Sequence, residues 1–266
     1  MESHFATIWE NIADSIGDSP AITHGSVTRT WSQYDDRAAR IATALVEAGL
    51  KPDSKVGLYL YNSNEYLEAQ FATFKFRGVP VNVNYRYLDE ELLYLLENSD
   101  SEVLFFHSSL GDRVARVIDR LPKLKMLVEV SDSDDHHVPS AVSYDSFFAK
   151  HEPMARITRS DDDIYMLYTG GTTGLSKGAV LTHRNVIAAI LQAEAWFQPA
   201  LARVGDIRVV NAIAALPLYH IFALTLSLLT MRWGAHMTLI PNPRDVPKLV
   251  ETLKRRPFHL LPAVNT

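Results

Sequence analysis

The stretch DIYMLYTGGTTGLSKGAVLTHRN, residues 163–185, limits what this chain can fold into more than any other. Ile164, Tyr165, Met166, Leu167 and Tyr168 form an apolar and aromatic run of strand length and strand composition. The run breaks into Thr169-Gly170-Gly171-Thr172-Thr173-Gly174-Leu175-Ser176-Lys177-Gly178, where four glycines sit among three threonines, one serine and one lysine. Glycine tolerates positive φ and close backbone approach, so successive N–H groups can converge on an anion. The hydroxyls add donors, and Lys177 adds a mobile point charge suited to phosphate. The pattern predicts a strand feeding a polyphosphate cradle. A flexible glycine-rich turn between two strands is the plainer alternative.

The flanking sequence alternates strand-like and helix-like segments. Phe5, Ile8, Trp9, Ile12 and Ile16 follow helical spacing and predict a docking helix. Pro20 to Trp31 reads as two short strands around His24-Gly25. Ser32, with Asp35 three residues on, predicts a capping box for a helix whose stripe is Tyr34, Ala38, Ile41 and Leu45, ended by Gly49. Strands follow at residues 55–61, 79–83, 103–106 and 126–130. Between them lie a helix bearing Tyr66, Leu67, Phe71 and Phe74 and closed by Gly78, a leucine-rich helix from Asp89 through Leu96, and a helix running to Leu121. Beyond the glycine-rich loop come a strand at 179–181 and a helix at 184–197 capped by Thr182 or His183. Strands at 208–216, 235–240 and 258–261 alternate with helices at 218–233 and 243–255, with Asp245 near the start of the last helix, where the macrodipole favours acid. This alternation predicts an α/β fold with mainly parallel sheets flanked by helices. The division expected is a first α/β subdomain over about 1–160 and a second over 161–266 that carries the loop.

Composition excludes several classes. A net charge of −5 gives no reason to expect nucleic acid as a partner. With no cysteine there is neither disulfide nor thiolate chemistry, which fits a cytoplasmic setting. The N-terminus lacks the basic and apolar regions of a signal peptide. Residues 209–231 hold no Asp, Glu, Lys or Arg and approach membrane-spanning length. Pro217, Tyr219 and His220 interrupt them, so a buried strand leading into a buried helix is the better account. Ser131 to Pro139 reads as a polar surface loop, and its adjacent His136 and His137 have no third metal ligand in view.

The order of the loop residues is informative. A Walker A loop places its lysine after the glycine and a hydroxyl residue next. Here Lys177 precedes Gly178 and Ala179 follows, which argues against a P-loop NTPase. The order closely resembles the [YF]-T-[SG]-G-[ST]-T-G-x-x-K-G signature of adenylate-forming enzymes, the superfamily of acyl-CoA synthetases, luciferases and peptide-synthetase adenylation domains. That resemblance implies that Thr169, Gly170, Gly171, Thr172, Thr173, Gly174, Ser176, Lys177 and Gly178 handle the β- and γ-phosphates of ATP, with Lys177 and Thr172 acting in catalysis.

A second segment, Ala215-Leu216-Pro217-Leu218-Tyr219-His220, resembles the LPLYH-type stretch that lines the carboxylate site of acyl-CoA synthetases. It implies an acyl and CoA site at Pro217, Tyr219 and His220, with His220 where acyl chain and thiol meet. Taken by itself, an apolar-flanked histidine also fits a satisfied core residue. Asn82-Val83-Asn84-Tyr85-Arg86-Tyr87 resembles the P-V-N-x-N-x-R-Y stretch of actinobacterial-type members, and residues 240–258 resemble medium- and long-chain fatty acyl-CoA ligases.

The resemblance covers the whole chain, with two departures. Many relatives carry proline where this chain has Ser176. The family's later Y-G-x-T-E segment, ribose-binding aspartate, hinge and mobile C-terminal domain have no counterpart, so the chain is expected to be the first part of the large N-terminal domain of an acyl-CoA synthetase. The complete enzyme would use ATP, Mg2+ (with no ligand identifiable here) and CoA to activate a hydrophobic carboxylate. The competing expectation is a catalytically inactive half-domain serving as a nucleotide-binding or interaction module, through self-association or peripheral membrane contact.

Overall fold

Consecutive strands separated by helices pair in parallel, because only a crossover returns the chain to the same end of a sheet. The computed structural model describes residues 4–133, 137–169, 175–203 and 210–264, and its sheets follow that rule. The larger sheet has seven strands: β3 (Lys55–Tyr59), β4 (Val79–Asn82), β5 (Ser101–His107), β6 (Met126–Val130), β7 (Val142–Ser143), β8 (Ile164–Thr169) and β9 (Lys177–Thr182). Their order is β7-β6-β5-β3-β4-β8-β9, and every pair is parallel except β8 with β9. The smaller sheet runs β10-β11-β1-β2, from β1 (Pro20–His24), β2 (Val27–Thr30), β10 (Asn211–Ala214) and β11 (His236–Leu239). Each sheet thus takes strands from both sides of residue 160.

The period of two along a strand sends neighbouring side chains to opposite faces. Val103 and Phe105 of β5 enter the larger core, with α1 (Phe5–Ile16), α2 (Trp31–Glu47) and α3 (Asn64–Lys75). Leu104 and Phe106 enter a second core, with α4 (Asp89–Asn98) and α5 (Gly111–Val117). The remaining helices are α6 (Tyr144–Phe148), α7 (His183–Leu201), α8 (Ile221–Arg232) and α9 (Val246–Arg255).

Several boundaries differ from the sequence reading. The cap of α2 is Thr30, not Ser32: Thr30 Oγ1 accepts from the Gln33 N–H at 3.2 Å, and Gln33 Oε1 accepts from the Thr30 N–H at 3.0 Å. Trp31, fully buried, is the first helical residue, and Asp35 instead accepts from Lys75 Nζ at 2.7 Å. The helix expected up to Leu121 is a short α-turn flanked by 3-10 turns at Ser108–Leu110 and Ile118–Arg120. Helix α7 runs past residue 197 and through Pro199, whereas α8 starts at Ile221 because residues 217–220 form a turn. The strand expected at 258–261 is a single bridge between Leu260 and Ala212. Of the strand expected at 208–216, residues 208 and 209 lie outside the described residues. His137 pairs with Glu129, and its neighbour His136 lies outside the described residues.

Helix α1 buries Phe5 and Trp9 as its spacing predicts, yet it also buries Glu10 and leaves Ile16 37% exposed. Glu10 is held by Lys75 at 2.8 Å and by Arg159 at 2.7 Å, so charge pairing rather than apolarity fills that position. At the start of α1, His4 stacks on His183 with ring centroids 3.7 Å apart, and the Phe5 N–H donates to His183 Nδ1 at 3.2 Å. His183 is the first residue of α7, so this contact ties the starts of two helices together.

Burial holds His183 in its neutral form, down to about 3, and depresses His4 further with help from its neighbours His183, Arg159 and Arg77. A histidine depressed in the folded state contributes stability that is complete above its unfolded value of about 6.5 and is lost as pH falls below it. Unfolding free energy should therefore drop between pH 6.5 and 4 by up to about 1.4 kcal/mol per pH unit for each histidine. Urea titrations of wild type and His4→Asn, which keeps a helix cap but cannot titrate, should show a shallower pH slope in the variant.

Candidate functional site

The carboxyl ends of parallel strands in an open α/β sheet are where ligands bind. Strands β4 and β8 lie side by side in parallel, with Val81 opposite Met166, so their carboxyl ends are neighbours. Strand β8 then returns as β9 in a ladder running from Ile164↔Thr182 to Thr169↔Lys177. Thr169 and Lys177 therefore face each other at the mouth of the hairpin. Gly170, Gly171, Thr172, Thr173 and Gly174 lie outside the described residues.

The far shoulder of the hairpin is held from the β4–α4 segment. The Tyr87 hydroxyl is 2.6 Å from Ser176 Oγ, and the Tyr94 hydroxyl donates to the Ser176 carbonyl at 3.1 Å. A proline at residue 176 would forfeit the first of these bonds, so the departure from many relatives has a local use here. The Tyr168 hydroxyl donates to Asn98 Oδ1 at 2.8 Å, and its ring lies against Gly178, where a Cβ would come within 3.0 Å of the ring carbon Cζ. Glycine at 178 is thus explained by close ring packing.

A cavity of about 560 Å³ opens at this place. The hairpin contributes Thr169, Leu175 and Ser176, the end of β4 and helix α4 contribute Asn82, Glu91 and Tyr94, and the second motif contributes Tyr219 and His220. Four of the residues singled out in the sequence, Thr169, Ser176, Tyr219 and His220, therefore share one space. Lys177 and Gly178 do not line it; they sit on β9, and Lys177 is exposed. Pro217 lines an adjoining cavity of about 500 Å³ that shares Tyr219 and His220.

The second motif is positioned by Asn62, a buried residue in the turn between β3 and α3. Its Nδ2 donates to the carbonyls of Ala214 at 3.0 Å and Leu216 at 2.9 Å, and its Oδ1 accepts from the Leu218 N–H at 2.9 Å. Tyr219 packs edge-on against Tyr85 at 5.1 Å, and Tyr85 meets Tyr61 at 4.8 Å. The Tyr61 N–H donates to His107 Nδ1 at 3.1 Å, and burial lowers His107 to about 4, keeping it a neutral acceptor. His220 is exposed and caps α8, accepting from the Phe222 N–H at 3.4 Å; it is not a core histidine. His183 is accounted for by its role at the start of α7.

Sequence reasoning missed Asn62 and Tyr94, and it quoted Tyr87 as part of the 82–87 string without a role. Asn62 sits in Tyr61-Asn62-Ser63-Asn64, a pattern that signals only a turn and a helix cap, and its partners are more than 150 residues away. Among the described residues no cluster of His, Cys, Asp and Glu could hold a metal ion, and no helix is long and apolar enough to cross a membrane.

A β8–β9 hairpin that shares a cavity with an LPLYH turn is a specific combination, and comparison with known proteins decides its kinship. Residues 9–266 match the family model described as AMP-binding enzyme. The chain belongs to the AMP-binding enzyme family. It is 38% identical over 189 residues to a 3-oxocholest-4-en-26-oate–CoA ligase of Rhodococcus rhodochrous, covering 70% of this chain and 34% of that protein. It is 30% identical over 285 residues to the long-chain-fatty-acid–CoA ligase of Salmonella typhimurium, covering 97% of this chain and 50% of that protein. The crystal structure of an anthranilate CoA ligase in complex with anthranoyl-AMP shares the fold, with a TM-score of 0.85 at 20% identity over 98% of this chain and 51% of that one. This family member thus spans at most about half the length of the curated relatives it matches.

Removing the Asn62 amide leaves two carbonyls and one N–H without their partner. Asn62→Ala should cost on the order of 3 kcal/mol, read as a lower urea midpoint. The loss should be accompanied by faster hydrogen exchange across residues 214–220.

Proposed function

We propose that the protein carrying this sequence uses ATP to convert a hydrophobic, fatty acid-like carboxylate into an acyl-adenylate and then an acyl-CoA. The observation that carries this reading is the single cavity in which Thr169 and Ser176 of the hairpin meet Tyr219 and His220. Hydroxyl donors of the hairpin and the aromatic, partly apolar side chains of the second motif line the same space. The names of the relatives, ligases of long-chain fatty acids and of a steroid acid, point the same way. An interaction module without chemistry would have no use for that juxtaposition.

In the proposed reaction the carboxylate attacks the α-phosphorus of ATP and pyrophosphate leaves. The CoA thiol then attacks the acyl carbon and displaces AMP. No protein nucleophile is required, which suits a chain without cysteine. Thr169, Thr172, Thr173 and Ser176 would donate to the β- and γ-oxygens together with the N–H groups of Gly170, Gly171, Gly174 and Gly178. Lys177 would offset charge on the leaving group, so its contribution would be largest in the transition state. Pro217, Tyr219 and His220 would border the acyl chain and thiol. Magnesium would accompany the phosphates, but the described residues offer it no dedicated ligand set. The one carboxylate lining the cavity among the described residues, Glu91, already accepts from the Leu88 N–H at 3.1 Å, so no step is assigned to the metal. In this reading residues 1–266 belong to the N-terminal AMP-binding domain, as a first subdomain to about residue 160 and the start of a second, and the enzyme works in the cytoplasm.

Carboxylate-dependent exchange of labelled pyrophosphate into ATP tests the assignment. Lys177→Ala and Thr172→Ala should each slow it by the equivalent of about 2–4 kcal/mol. Wild-type exchange in both variants would remove the loop from the mechanism. With wild-type protein, octanoate and longer acids should support exchange better than acetate, and the reverse order would refute the hydrophobic acyl site.

A further inference from the structure

Strand β4 ends on Asn82 in Val79-Pro80-Val81-Asn82, four residues that are all buried. Asn82 is 4% exposed and lines the larger cavity beside Thr169 and Ser176. Its Oδ1 accepts a hydrogen bond from the Tyr66 hydroxyl at 2.7 Å, whereas its Nδ2 has no hydrogen-bond partner. Tyr66 is itself fully buried, and Asn82 is the only acceptor its hydroxyl has among the described residues. Turning the amide round would leave the tyrosine proton without an acceptor, so Tyr66 keeps the carbonyl to itself and leaves the NH2 unpartnered.

A buried amide with an unused donor costs about 1–3 kcal/mol. The Tyr66 hydroxyl calls for an acceptor at this place, but no described residue takes the NH2. The same cavity is lined by the hydroxyl residues Thr169 and Ser176, which can serve the same acceptor.

We propose that Asn82 is a ligand-contacting residue whose NH2 donates to an anionic oxygen of the bound molecule, with Tyr66 as the positioning residue behind it. This rests on the cavity being the site for ATP phosphates and carboxylate proposed above and adds a donor to it. The oxygen belongs either to the polyphosphate or to the carboxylate being activated, and the two sources are separable by experiment.

Inorganic pyrophosphate and octanoate are titrated separately, by calorimetry, into wild type, Asn82→Asp, Tyr66→Phe and Lys177→Ala. Asn82→Asp keeps an acceptor for Tyr66 but replaces the donor with an anionic oxygen. It should weaken one of the two ligands by about ten- to a hundredfold, as loss of a hydrogen bond to a charged group does. The ligand affected identifies the source. Tyr66→Phe should weaken the same ligand less, with the thermal midpoint showing a folded protein. If Asn82→Asp does not fold, the double variant Asn82→Leu with Tyr66→Phe removes both polar groups together and should show the same selective loss. Binding of both ligands at wild-type affinity in the Asn82 variants, while Lys177→Ala weakens pyrophosphate, overturns the inference and leaves the cavity assignment standing. Failure of wild type to bind either ligand overturns both.

Discussion

The structure depends on a buried ionic network at the end of α3. Lys75 Nζ lies 2.8 Å from Glu10 and 2.7 Å from Asp35, and Arg159 reaches Glu10 at 2.7 Å while donating to the Lys75 carbonyl at 3.1 Å. Lys75 and Glu10 are both only 2% exposed. Removing one partner of such a network strands a buried charge, which typically costs about 3–5 kcal/mol. The network joins α1, α2 and α3 to the connector that leads into β8, and so determines where that strand enters the sheet. Two residues beyond Lys75, Arg77 grips Asp163 in a bidentate pair at 2.7 and 2.9 Å, immediately before β8 begins. The Asp163 carbonyl accepts from the His183 N–H at 3.0 Å, closing the base of the hairpin from the other side.

Above that base, the site is assembled by polar side chains reaching out of an apolar scaffold. Asn62 holds the turn that carries Tyr219 and His220, and Tyr87 and Tyr94 hold Ser176. Each contact spans more than eighty residues of sequence. The two motifs therefore converge because both are tied to the β3–β4 region, whose own place is secured by the parallel ladders with β5 and β8.

Much of the fold was legible in the sequence because strands and helices have different periods. The runs at 55–59, 79–82, 101–107 and 126–130 are apolar on both faces, as strands covered by helices on each side must be. Legibility failed where burial was achieved by charge, as at Glu10, and where a break depended on tertiary packing, as at the 3-10 turns around α5 and the late start of α8. Within the site, Thr169, Ser176, Tyr219 and His220 were legible as members of ordered strings. Asn62 and Tyr94 were not, because a lone amide or phenol has no local pattern, and the string that holds Tyr87 gave no sign of its bond to Ser176.

The sequence by itself determined the α/β class, the strand that begins at Ile164 and the kinship that the ordered residues after it carry. These are local properties, settled by which residue types follow one another. Tertiary structure alone decided that the hairpin joins β4 at the edge of the larger sheet, that Pro217 faces a different cavity from Ser176, and that Lys177 projects from an exposed strand. Those outcomes rest on contacts between segments far apart in the chain, and residue order along the chain holds no local trace of a distant partner.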